Sequence, residues 1–169
     1  MLYEGGFANG VKEGHGVIYD KEGRLVYSGT FNNNMIRGNS VNIYWPNGNL
    51  KYEGDMLDGI REGWGRSYNE HGVLEYEGGW KEDIWHGKEC LEYQPVNGVK
   101  GKDVWLSYQG ELCHGARRGL GRVMHRNGKV MYQGELKNGI PMSKVIWVYN
   151  DDGSVRYFGP NLIKTLDAY

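Results

Sequence analysis

Leu25-Val26-Tyr27-Ser28-Gly29-Thr30-Phe31 and Leu74-Glu75-Tyr76-Glu77-Gly78-Gly79-Trp80 share one pattern, in which Leu, Tyr, Gly and a large apolar residue alternate with mostly polar ones. A period of two puts the first set on a single face of a half-buried β-strand. The pattern returns as Leu50, Tyr52, Gly54, Met56, as Leu106, Tyr108, Gly110, Leu112, and as Val130, Tyr132, Gly134, Leu136. Working outward, Tyr-x-Gly occurs at Tyr3, Tyr27, Tyr52, Tyr76, Tyr108, Tyr132 and Tyr157, at spacings of 24, 25, 24, 32, 24 and 25 residues. Six units and a terminal half-unit fill the chain, with no room for a second domain, and the single long interval marks an insertion.

Each Tyr-x-Gly strand is followed by a polar turn such as Asn9-Gly10, Asp58-Gly59, His114-Gly115 or Asn138-Gly139, then by a second strand opening Gly14-His15-Gly16, Gly63-Trp64-Gly65 or Gly119-Leu120-Gly121. Asn-Gly and Asp-Gly pairs between alternating strands are hairpin turns. Further turns at Glu22-Gly23, Asn47-Gly48, His71-Gly72, Asn127-Gly128 and Asp152-Gly153 lead into the next unit. The expected fold is therefore all-β: a single-layer meandering antiparallel sheet of tandem β-hairpins, about thirteen strands at ~4.8 Å spacing, curled by strand twist into a solenoid-like trough. The array is expected over 1–159, with an insertion near 94–104. Residues 160–169 form a C-terminal cap, Leu162 to Ala168 making one or two helical turns over the last open edge.

Composition agrees, for 28 Gly, 13 Tyr, 6 Trp and 3 Phe against 4 Pro in 169 residues leave aliphatic side chains too sparse for a large parallel-sheet core. Glycine within a strand costs backbone entropy and packing. Here it leaves bare backbone over which a ring from the adjacent strand can lie, so the repeated Tyr and Gly are read as structural. Odd units keep Gly-x-Gly, whereas even units replace it with Gly38-Asn39-Ser40, Gly87-Lys88-Glu89 and Ser143-Lys144-Val145. Their second strands carry bulky residues instead (Val41, Ile43, Tyr44, Trp45; Val145, Ile146, Trp147, Tyr149), which suggests a true period of two units.

Tyr3-Glu4-Gly5-Gly6-Phe7-Ala8-Asn9-Gly10-Val11-Lys12-Glu13-Gly14-His15-Gly16-Val17, and the segment beginning at Tyr52, resemble the MORN (membrane occupation and recognition nexus) repeat. The resemblance extends over nearly the whole chain, with even units departing at the second glycine of Gly-x-Gly. It implies an elongated hairpin array acting as an adaptor, dimerisation element or docking groove in cytoskeletal, ciliary or membrane-contact settings, with any catalysis residing in domains outside the repeats.

The residues point the same way. The two cysteines, Cys90 and Cys113, are expected as free thiols. The N-terminus lacks the basic and apolar regions of a secretion signal, which suggests a cytoplasmic protein, with cytoskeletal or membrane association open to it. Of His15, His71, His86, His114 and His125, His15 fills the centre of Gly-x-Gly where sister units have Trp64 and Leu120, and His71 and His114 fall in turns, all freely variable slots, while Cys113-His114 has no accompanying CxxC or HxxxH. Neither a metal nor another cofactor is therefore expected, nor is an enzyme. No glycine cluster opens a helix to cradle phosphate. With 20 basic and 21 acidic side chains, overall charge recruits neither nucleic acid nor an anionic membrane. Lipid binding would rest on Arg117 and Arg118, with Lys100 and Lys102 in the insertion, a thin basic cluster.

A one-layer sheet leaves a face uncovered, so a protein or amphipathic peptide is the expected partner, laid in an aromatic groove. Candidate groove residues are Trp45, Trp64, Trp80, Trp85, Trp105 and Trp147, with Tyr44 and Tyr68. Each ring either meets a partner or stacks on its neighbour. The insertion is either a functional loop or a plain hairpin extension. The uncapped first strand would allow a homodimer through its edge, or continuation into a longer array.

Overall fold

The computed structural model describes residues 1–96, 98, 103–143 and 145–160, and all of its regular elements are strands. The chain divides into two compact units, Met1–Ile84 and Trp85–Tyr169. Unit 1 is an antiparallel meander of β1 (Leu2–Ala8), β2 (Val11–Tyr19), β3 (Leu25–Asn32), β5 (Gly38–Tyr44), β6 (Leu50–Leu57), β7 (Ile60–Tyr68) and β8 (Leu74–Lys81), with the short β4 (Met35–Ile36) also on β3. β9 (Ile84–Trp85) lies at the boundary. In unit 2, β10 (Gly87–Pro95), β11 (Val104–Cys113), β12 (Ala116–Met124), β13 (Val130–Lys137) and β14 (Ile140–Pro141) pair in sequence order, while β15 (Val145–Tyr149) and β16 (Val155–Pro160) form a separate two-stranded sheet. The expected helical cap falls on 161–169, outside the described residues.

One clamp recurs in every repeat. The hydroxyl of the Tyr in Tyr-x-Gly donates to the backbone carbonyl three residues on: Tyr27 to Thr30 at 3.0 Å, Tyr52 to Asp55 at 2.7 Å, Tyr108 to Glu111 at 2.9 Å, Tyr132 to Glu135 at 3.2 Å, and likewise at Tyr3, Tyr76 and Tyr157. To reach that oxygen the ring must lie flat along its own strand, across the residue two ahead. A side chain there has no room. A Cβ on Gly54 would stand 2.6 Å from the Tyr52 hydroxyl, and one on Gly65, paired with Gly54 on the next strand, 2.5 Å from the same ring. Tyr108 covers Gly110 and Gly121 in the same way. The two glycines of Gly-x-Gly thus serve different ends: the second lies beneath the ring, while the first adopts positive φ, 100° at Gly63 and 71° at Gly119, at a bulge that L side chains resist.

From the second repeat to the sixth, the residue four after the Tyr (Phe31, Met56, Trp80, Leu112 or Leu136) is buried and completes the core. Phe31 meets Tyr27 edge-on at 5.1 Å and Tyr3 at 4.9 Å, and Trp80 meets Tyr76 at 5.4 Å and Tyr52 at 5.2 Å. Such T-shaped contacts set the positive ring edge against the negative ring face. Tyr52, Tyr76 and Tyr108 are fully buried.

The even repeats are built differently. Their second strand is broken into β4 and β5, β9 and β10, or β14 and β15, which raises the number of strands above about thirteen. Where odd repeats place Gly16, Gly65 or Gly121 beneath a ring, even ones pair Val41 with Gly54, Cys90 with Gly110 and Ile146 with Gly159. All three side chains are buried, as apolar plugs between ring layers. The longer even spacing reflects one additional residue at the bulge just after this break, between Gly38 and Val41 and between Gly87 and Cys90. The alternation suspected from the sequence is therefore an alternation of strand architecture.

First-turn geometry is uniform. Both central residues take positive φ at Asn9-Gly10, Asp58-Gly59, His114-Gly115 and Asn138-Gly139, and equally at Asn33-Asn34 and Glu82-Asp83, where no glycine signals it. Two left-handed residues make the type I′ turn whose twist suits a hairpin. Asn34 and Asp83 accept backbone N–H bonds from Lys12 and Arg61 at 2.9 and 3.0 Å, holding these turns against the preceding repeat.

Removing the clamp hydroxyl with Tyr108→Phe is expected to cost about 1 kcal/mol, and Gly121→Ala, forcing a methyl into the ring, about 1–3 kcal/mol, both read from denaturant midpoints. Burial first, then neighbouring charge, pushes the Tyr27 and Tyr108 hydroxyls up from 10.0 to about 12. The folded state thus retains protons that the unfolded chain releases. Stability should be level with pH below 10 and fall as pH rises from 10 through about 12; denaturant midpoints against pH, followed alongside tyrosinate absorbance, test this.

Candidate functional site

Strand parity separates the tryptophans. Trp80 shares the clamp face, is 4% exposed, and donates its indole N–H to the Gly65 carbonyl at 3.3 Å with the Arg61 guanidinium 4.0 Å over its ring. It belongs to the core. Trp64, at the centre of Gly63-Trp64-Gly65, points to the opposite face, where only Gly79 stands across from it, and is 46% exposed. The Arg66 guanidinium sits 5.1 Å from its ring and is held between Glu77 and Glu53 at 3.0 and 3.4 Å.

Trp45 lies in a turn and donates to the Tyr68 carbonyl at 3.0 Å, with Lys51 over its ring, so it ties one repeat to the next. Tyr68 is half-buried, its hydroxyl on Glu53 at 2.7 Å, and burial and that carboxylate push its pKa up. Tyr44 is half-buried opposite Leu50. Trp85 and Trp105 are half-buried in unit 2, Trp105 opposite Gln94.

Trp147 is the counterpart of Trp64 in unit 2. It is 47% exposed and stacks on the 57% exposed Phe158, across the β15–β16 pair, with ring centroids 4.0 Å apart. Beside it, where β15 departs from the main sheet, a cleft of about 740 Å³ opens between β13 and β15, lined by Val130, Tyr132, Glu135, Met142, Ile146 and Trp147. Met142, 48% exposed, and Trp147 form its lip. This places a recess of mixed polar and apolar lining beside a pair of exposed rings, with Glu135, Gln133 and Ser143 among its polar groups. Met142 and Phe158 carry no repeat signature, and only the break after β14 brings Met142 to the cleft.

The described basic candidates, Arg117 and Arg118, are not gathered on one face. Arg117 and Arg118 are consecutive in β12 and so face opposite sides of the sheet. Arg117 is drawn down onto Glu92 at 2.8 Å, both side chains largely buried, and over the Tyr108 ring at 4.8 Å. Lys100 and Lys102 lie outside the described residues.

A second constellation comes from pairing the repeats. His86, directly after β9, meets Cys113 and His114 at the end of β11, with one donor atom from each within 4.8 Å of the others. Cys113 Sγ is 3.3 Å from His114 Nδ1, and the two imidazoles meet edge-on at 5.4 Å. Linear spacing hides the third member, since His86 comes from the preceding repeat. Neither Cys90 nor Cys113 is in a disulfide, and Cys90 is fully buried.

The MORN repeat model matches residues 3–23 and 76–88. MORN repeats are generally involved in protein or membrane interactions. No curated protein matches the chain significantly.

The two classes of tryptophan should separate on substitution. Trp80→Ala is expected to cost about 3–5 kcal/mol, whereas Trp64→Ala should change stability by less than about 1 kcal/mol; urea midpoints of the two variants decide it.

Proposed function

We propose that this chain is a non-catalytic adaptor that holds a partner polypeptide against the Trp147 and Met142 cleft of unit 2. The observation that carries this reading is the pairing of exposed Trp147 and Phe158 rings with a cleft of mixed polar and apolar lining beside them. The clamp tyrosines, Phe31 and Trp80 are spent on the clamp face, whereas the Trp147 and Phe158 rings are left in water and are available for contact. Aromatic anchors beside a pocket are where binding energy concentrates. Val130 and Ile146 offer apolar lining within the cleft, Met142 an apolar lip, and Glu135 a charged group. The fitting partner is an amphipathic segment with an apolar stripe and a basic flank, docked as a helix in a groove. A membrane surface is the alternative partner, and for it the described residues supply no gathered basic patch.

A displayed library of amphipathic peptides, selected on the whole chain, is expected to enrich sequences with apolar residues at helical spacing and a Lys or Arg flank. Trp147→Ala should weaken a selected peptide about 10-fold or more, by fluorescence anisotropy, with Trp64→Ala leaving its affinity near wild type. Flotation on phosphoinositide-containing vesicles with no peptide enriched would replace this reading with a membrane-surface module.

A further inference from the structure

We propose that His86, Cys113 and His114 form a binding site for one zinc-type divalent ion, which staples the second strand of the fourth repeat to the first turn of the fifth.

The sister repeats supply the argument. Aligned on Tyr-x-Gly, His86 occupies the slot of Arg37, Cys113 that of Leu57 and His114 that of Asp58. In unit 1 that slot holds an ion pair: the Arg37 guanidinium donates through two nitrogens to the Asp58 carboxylate, each at 3.1 Å. The backbone bond beneath is the same in both places, Gly59 N–H to the Ile36 carbonyl and Gly115 N–H to the Trp85 carbonyl, each at 2.9 Å. The fold thus presents two identical brackets that bring a side chain after the broken strand against a turn. One is filled by opposite charges. The other carries two imidazoles and a thiol, none of which can form that ion pair with another.

Those three groups are ligands for a borderline-soft cation. Tetrahedral zinc with a thiolate at about 2.3 Å and imidazole nitrogens at about 2.0–2.1 Å needs donors roughly 3.3–3.6 Å apart. Cys113 Sγ and His114 Nδ1 already stand 3.3 Å apart, and the whole set lies within 4.8 Å, so a small inward movement of side chains closes it. His86 adds an independent sign: its Nδ1 is buried and has no hydrogen-bond partner. A protein seldom leaves such an atom unmet, and coordination through that nitrogen would supply the missing partner. His114 is exposed and Cys113 half-buried, which gives an ion an entry path and leaves the fourth position to water. Binding releases the Cys113 thiol proton to solvent, while the imidazoles coordinate as neutral lone pairs.

Cobalt(II) titrated into the reduced, metal-free chain tests the site. One ion per chain is expected, with visible ligand-field bands of tetrahedral cobalt and a near-ultraviolet thiolate charge-transfer band, both displaced by zinc. Cys113→Leu, which installs the sister residue, should abolish the charge-transfer band and weaken binding by at least about 10-fold. The double variant His86→Arg with His114→Asp restores the sister ion pair, so it should stay folded by circular dichroism yet bind no cobalt. Cys90→Val, again a sister residue, should keep the full signal. Absence of the charge-transfer band in the wild type, its persistence in either site variant, or its loss in Cys90→Val would overturn the proposal.

Discussion

A tyrosine hydroxyl reaching the carbonyl three residues ahead on its own strand is the constraint on which this molecule depends. That bond lays the ring along the backbone, and from this single posture the rest follows. The residue two ahead must be glycine, and in odd repeats so must its partner on the following strand, because a methyl at either would enter the ring. The residue four ahead must be large, to meet the ring by its edge. A sheet with no second layer above it obtains an interior in this way, with Tyr52, Tyr76 and Tyr108 screened from water by backbone and by one another. The tyrosine is needed as tyrosine: phenylalanine would bury as well but would not be held flat.

Much of this was legible in the sequence, because the clamp imposes residue identity at fixed offsets. Tyr-x-Gly spacing gave the repeats, period-two alternation gave the strands, and glycine-bearing dipeptides gave most of the turns. What escaped was set by contacts across repeats. Asn33-Asn34 and Glu82-Asp83 form left-handed turns without glycine, and Asn34 and Asp83 are anchored by backbone bonds from the preceding repeat. The broken second strand was visible only as one additional residue in even spacings, and no local rule converts that into a break. The division of the chain into two compact units left no mark in composition.

The candidate sites show the same split. Parity was readable for Trp64 and Trp80, one centred in Gly-x-Gly and the other four residues after a clamp tyrosine, and the structure sends them to opposite faces. Trp45 could not be sorted so, because its role depends on a carbonyl in the following repeat. Arg117 and Arg118 looked like a basic pair in one dimension, yet neighbours along a strand face apart, and Arg117 is engaged by Glu92. Cys113 and His114 looked solitary for the converse reason: their third companion, His86, is distant in sequence and adjacent only once the hairpins pair.

The apolar plugs Val41, Cys90 and Ile146 bear on how such a chain can grow. Each odd repeat presents bare glycine beneath a ring, and each even repeat returns a side chain to that row. Gain or loss of a single repeat would set two like architectures side by side and break the beat of rings and plugs, whereas gain or loss of a couplet leaves every junction of a kind already present. The heritable brick of this protein is therefore the pair of hairpins, and length changes that respect it can accumulate without any core residue having to adapt.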